Sequence, residues 1–112
     1  MSEQIGQKLT NEEMSSSRKG DFAEMYAVTW LWDQGYEVFR NYGCVGMVDM
    51  IAWNQDTDEF ILIDVKTAFK RESHSKELTR THKRSKLQKE KGVRILKFNP
   101  SNRTLKFMEH KE

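Results

Sequence analysis

The 112-residue chain contains one cysteine, one proline and no apolar run near the ~18 residues of a membrane span. The lone Cys44 excludes an internal disulfide and leaves no thiolate cluster for a structural zinc, so the core must hold without staples. Between Gly43 and Gly46 it reads as a small packed or loop residue rather than a nucleophile. The opening stretch, MSEQIGQKLTNEEMSSS, has no apolar centre of the kind a signal peptide carries, and the expectation is a cytoplasmic protein with no membrane partner. There is no internal repeat and no low-complexity segment beyond Ser15, Ser16 and Ser17. At this length a single domain with one core is expected.

Net charge is also scarce, at +2, but that total is a cancellation. Residues 1–65 hold 4 Lys/Arg against 12 Asp/Glu, residues 66–97 hold 12 against 3, and residues 98–112 hold 3 against 2. An acidic half followed by a strongly basic stretch suggests a polyanionic partner. Hydrophobic residues make up 37% of the chain and include 3 Trp, 6 Phe and 3 Tyr, which is enough to build a core.

Residues 1–16 read as a flexible N-terminal arm and 17–112 as one folded domain. From Ser17 onward Phe22, Tyr26 and Trp30 form one i, i+4 row, with Ala23, Ala27 and Leu31 beside it. This is an amphipathic helix that starts near a serine cap and stops at Gly35. Tyr36 to Arg40 reads as a strand leading into a glycine-containing loop. Val48 to Trp53 and Phe60 to Lys66 read as a hairpin whose strands are apolar on both faces, as if covered on two sides. Residues up to about Thr79 read as a basic loop, and Thr81 to Lys91 as a basic helix ended by Gly92. Val93 to Phe98 and Thr104 to Met108 are the last strands. The three tryptophans Trp30, Trp32 and Trp53 read as core or near-core, and His74, His82 and His110 as surface residues.

The hairpin carries the chemistry. A turn centred between Asp56 and Thr57 pairs Asn54 with Glu59, and the same register sets Asp49 opposite Asp64. Like charges directly opposed on adjacent strands are destabilising, so something must offset the repulsion. A hard divalent cation does so, and oxygen ligands suit Mg²⁺ or Mn²⁺ better than zinc. Period-2 alternation puts Lys66 on the same face as Asp64. Glu24, on the margin of the helical stripe, could reach the same rim. Two acids, a metal and a lysine beside a basic segment form the parts for phosphodiester hydrolysis.

Asp49 followed by Asp64-Val65-Lys66, with a helical Glu24 before them, resembles the PD-(D/E)xK nuclease superfamily. The strings Lys19 to Glu24, Gly35 to Arg40, Val48 to Ala52 and Ile63 to Thr67 resemble the small archaeal-type Holliday junction resolvases, and similarly the group I intron-associated nucleases. The resemblance implies an α/β fold with a restriction-endonuclease-like core, a mixed central β-sheet flanked by helices in the order αβββαβ(β). It implies that Asp49, Asp64, Glu24 and the carbonyl of Val65 bind Mg²⁺ or Mn²⁺ and that Lys66 is the catalytic lysine. It also implies DNA as substrate and a homodimer. Two departures stand out: Val48 occupies the usual proline position, and Asp64 is one methylene shorter than the glutamate common among resolvases.

Few acids interrupt the basic stretch, so Lys70, Arg71, Arg80, Lys83, Arg84 and Lys86 are expected to draw in a phosphate backbone, together with Arg18 and Lys19 at the helix start. Scarce aromatic interleaving argues for duplex or branched DNA over a single-strand stacking platform. The expected function is a Mg²⁺-dependent DNA endonuclease selective for Holliday junctions or other branched DNA. The alternatives are a homing or nicking endonuclease on linear duplex and a non-catalytic nucleic-acid-binding module. Gln88 is a weaker candidate on the second helix.

Overall fold

In the computed structural model, which describes residues 15–43, 46–68 and 83–110, the order of elements is helix, three strands, helix, two strands. Helix α1 spans Ser16–Asp33. Its N-cap is Ser15, whose hydroxyl accepts the Arg18 amide at 3.2 Å. The helix therefore takes in Ser16, and Ser15 as its cap, from the stretch assigned to the arm. It ends in a Schellman motif: the Tyr36 amide donates to Leu31 O at 3.1 Å and the Gly35 amide to Trp32 O at 2.9 Å, with Gly35 at a φ of 88°.

The sheet runs in the order β1-β2-β3-β4-β5, with β1 Glu37–Arg40, β2 Met50–Asn54, β3 Glu59–Thr67, β4 Arg94–Asn99 and β5 Thr104–Phe107. Strands β1, β2 and β3 form an antiparallel meander; β3 and β4 are parallel, and β5 returns antiparallel to β4. Only the parallel step needs a crossover, and helix α2, Lys86–Lys91, lies within it. The helix starts later than the sequence periodicity predicts: residues 83–85 are non-helical and Ser85 is the N-cap. Basic side chains are good helix formers, but a serine three residues ahead of a glutamine is a stronger start signal.

Alternation along the strands sorts two faces. Met50, Ala52, Ile61, Ile63 and Leu96 pack against Ala27, Val28 and Leu31 of α1 and form the core. At one margin the Phe22 and Tyr26 rings lie on Phe98, and Arg103 sits 4.7 Å above the Phe22 ring. Trp30 flanks the core through Phe107, whereas Trp32 is 60% exposed, facing away from the sheet.

The other face is less covered than two-sided hydrophobicity predicts. Phe60 is 57% and Phe39 51% exposed, while Ile51, Trp53 and Leu62 are half-buried. Trp53 and Phe60 instead cover each other, stacked at 5.7 Å. His110 also departs from a surface role, since its Nε2 accepts the Ile95 amide at 3.2 Å.

The α1 interface makes a quantitative expectation. Leu31→Ala, fully buried against the sheet, should lower stability by about 2–5 kcal/mol, and Met25→Ala on the exposed side of the same helix by no more than about 0.5 kcal/mol. Urea denaturation of both variants measures this; equal losses would mean that α1 does not pack through its Leu31 face.

Candidate active site

The hairpin ladder pairs Asn54 with Glu59 and ends at Met50 with Ile63; Asp49 lies just beyond it, and its carboxyl comes within hydrogen-bonding reach of Asp64. The register is held at both ends. At the turn, Asn54 Oδ1 accepts the Asp56 and Thr57 amides at 2.9 and 3.3 Å, and Asp58 adopts a φ of 60°. At the open end the Asp49 amide donates to Ile63 O at 2.8 Å and Asp49 O accepts the Asn41 amide at 2.9 Å, so Asp49 and Met50 both answer Ile63 and the regular ladder gives way to a bulge, a step the turn position alone does not predict.

Each acid has one firm anchor. Asp49 Oδ2 accepts the Val65 amide at 2.7 Å. Asp64 Oδ2 accepts from Gln88 Nε2 at 2.8 Å and lies 3.6 Å from Lys66 Nζ. Gln88 is buried, and its side chain joins three segments: Nε2 also donates to Met47 O at 2.9 Å, and Oε1 accepts the Ser85 amide at 3.0 Å. It closes the capping box of α2 and positions Asp64 with the same group. The Ser85-Lys86-Leu87-Gln88 spacing was the sequence signal for this role.

Glu24 lines the same cavity from α1, but Arg40 of β1 holds it in an ion pair. The cavity, of about 560 Å³, is bordered by Glu24, Asp49, Asp64, Val65, Lys66 and Gln88, with Lys83 and Arg84 on its basic side. Arg84 Nη1 donates to Val93 O at 3.2 Å, which fixes the guanidinium at the start of β4. Of the other basic candidates, Lys86 is exposed at the start of α2, and Arg18 and Lys19 occupy the first turn of α1; none of the three borders the cavity. Lys70, Arg71 and Arg80 lie outside the described residues, as do Cys44, His74 and His82.

Asp49 is where the electrostatic strain collects. Burial pushes its carboxyl up to about 6; the Val65 amide pulls it back, while the charges of Asp64 and Glu24 and a hydrogen bond with Asp64 push it further up. A carboxylate in that state lacks counter-charge. Among the described residues no group of three or more His, Cys, Asp or Glu side chains forms a ready cage. Mg²⁺ does not need one, since it takes one or two carboxylates and keeps several waters, so the Asp49/Asp64 pair suits a hard divalent cation.

The raised Asp49 carboxyl favours the folded state below the unfolded value near 4, and that contribution is lost as pH rises through about 6. Without divalent ions, Asp49→Asn should therefore gain thermal stability over the wild type between pH 4 and 7; a difference that stays constant over this range would contradict the assignment. Gln88→Ala, which leaves Asp64 and Met47 O without their donor, should cost about 1–3 kcal/mol in a denaturant titration. Loss of under half that would mean that water replaces the amide.

Comparison with known proteins bears on the family and the fold. A family model described as "Uncharacterised protein family UPF0102" matches residues 23–98. No curated protein matches the chain. Among solved structures, a bacterial homing endonuclease, I-Ssp6803I, superposes with a TM-score of 0.64 at 15% sequence identity, over 85% of this chain and 69% of that one. At such identity the likeness is one of fold, and it includes the restriction-endonuclease-like arrangement of a mixed sheet flanked by helices. With the family match spanning both acids, Lys66 and Gln88, the chain belongs to the UPF0102 family, and it shares its fold with a homing endonuclease.

Proposed function

We propose that the protein is a Mg²⁺- or Mn²⁺-dependent DNA endonuclease. The observation that carries this reading is the adjacent carboxyls of Asp49 and Asp64 in one cavity, with Lys66 Nζ 3.6 Å from Asp64 and Lys83 and Arg84 bordering the same cavity. Acids alone would repel a phosphodiester; acids that hold a cation, beside fixed positive charge, attract one. Asp49 and Asp64, with the Val65 carbonyl, would hold the ion, which would supply a water acidified for attack and positive charge for the phosphoryl oxygens; Glu24, expected from the sequence to join them, is instead paired with Arg40 at the cavity wall.

The chain's own groups do the rest. The Val65 amide and the Gln88 amide each fix one carboxylate, so neither must reorganise when substrate arrives. Lys66, held beside Asp64, orients the attacking water and adds charge toward the scissile phosphate. Arg40 neutralises Glu24 at the cavity wall, which leaves Asp49 and Asp64 as the acids available to a cation. One set of these groups cuts one strand, so cleavage of paired strands calls for two copies of the chain, and a homodimer is part of the proposal.

Branched DNA, a Holliday junction above all, is the substrate favoured by the strings Lys19 to Glu24 and Ile63 to Thr67 that resemble the small resolvases. A nicking or homing activity on linear duplex is the second reading, supported by the fold likeness to a homing endonuclease. Incubation with Mg²⁺ and a labelled four-way junction, with and without excess linear duplex, separates the two. Cutting of the junction should survive the competitor. Asp64→Asn should abolish cleavage and Lys66→Ala slow it by about 10²–10⁴-fold. No cleavage of junction or duplex, or cleavage indifferent to both substitutions, would overturn the proposal.

A further inference from the structure

The registers of β3, β4 and β5 create a feature that metal-assisted hydrolysis does not use. Lys66 pairs with Lys97 in the parallel ladder, and Lys97 pairs with Lys106 in the antiparallel one. Register partners share a face, so the three lysines stand in one transverse row, on the side of the sheet away from α1. Strands lie about 4.8 Å apart, so the row covers roughly 10 Å from β3 to β5.

Such a row is destabilising in itself, because like charges directly opposite repel. Lys66 has Asp64 beside it. Among the described residues no carboxylate forms an ion pair with Lys97 or Lys106. The two border a cavity of about 350 Å³ with Met108 and Glu109, a single acid against two cations. Lys97 is also an awkward place for a charge: it is half-buried on a strand whose neighbouring positions, Leu96 and Phe98, are fully buried. A lone solvated lysine on an edge strand would need no explanation. Three in line, beginning at the lysine of the candidate active site and crossing a central strand, concentrate positive charge along one path, which a polyanion would offset.

We propose that Lys97 and Lys106 form a phosphate-binding row that carries one strand of duplex DNA away from the cleavage position at Lys66, across β4 to the β5 edge. With Lys83 and Arg84 on the far side of the acids, the backbone is held on both sides of the cut. This proposal rests on the nuclease reading for the meaning of Lys66, but it concerns binding and is tested without turnover.

Fluorescence anisotropy of a labelled DNA duplex, in EDTA and over 50–200 mM KCl, gives affinity and its salt dependence. Each phosphate contact contributes about 0.9 to the slope of log K against log salt, so Lys97→Ala/Lys106→Ala should flatten it by about 1.8. Lys97→Arg/Lys106→Arg should keep the wild-type slope, and circular dichroism melts confirm that both variants fold. An unchanged slope in the alanine variant overturns the row, whether or not the enzyme cuts DNA. A flattened slope in a protein that cleaves nothing with Mg²⁺ upholds the row and overturns the nuclease reading alone. No duplex binding by the wild type overturns the row as well.

Discussion

The carboxyls of Asp49 and Asp64 meet at the open end of a hairpin, and the chain supplies only part of the charge needed to hold them there. Burial and proximity make it costly to ionise both, which is why the Asp49 carboxyl rises to about 6. Much of the surrounding structure answers that constraint. The Val65 amide, the Gln88 amide and the Lys66 ammonium all point positive charge at these oxygens. Arg40 takes up the charge of Glu24, the third acid bordering the cavity. Even α2, six residues long and with Gln88 as its one buried residue, serves chiefly to place a side chain that reaches Asp64.

The hairpin was legible because two independent signals agree on it: β-forming apolar runs and a polar turn whose length fixes the register. Once Asn54 is set against Glu59, the pairing as far as Met50 with Ile63 is arithmetic; the bulge that follows, where the Asp49 amide also bonds Ile63 O, has no such signal. The first helix was legible for a similar reason, since its apolar rows and its Gly35 stop coincide. The start of α2 was harder to see. A run of Lys and Arg has high helix propensity, and propensity carried the expected start back to Thr81. The capping box at Ser85 and Gln88 carries more free energy than a few tenths per residue of propensity, and it decides the boundary.

Two other features depend on distances that the sequence does not encode. The pairing of Glu24 with Arg40 needs α1 laid across β1, sixteen residues apart in the chain. The exposure of Phe39, Phe60 and Trp32 depends on what covers each face, and apolar character alone does not tell a doubly covered strand from one whose outer aromatic rings shelter each other. The charge asymmetry of the sequence is likewise resolved only in three dimensions: acids from the first half and cations from the second meet at one end of the sheet.

The mixed character of the sheet has a consequence for how this arrangement comes together. Asp49 and Asp64 are joined by closing a turn of four residues, 55–58, whereas pairing Lys66 with Lys97 requires closing the 26 residues between β3 and β4. By the logarithmic dependence of closure entropy on length, the second step costs about 1.7 kcal/mol more than the first. The repulsive half of the centre is therefore local and the cationic half is not. Closure entropy thus favours the contact between the acids over the one that delivers Gln88 to Asp64 and β4 to the open edge of β3.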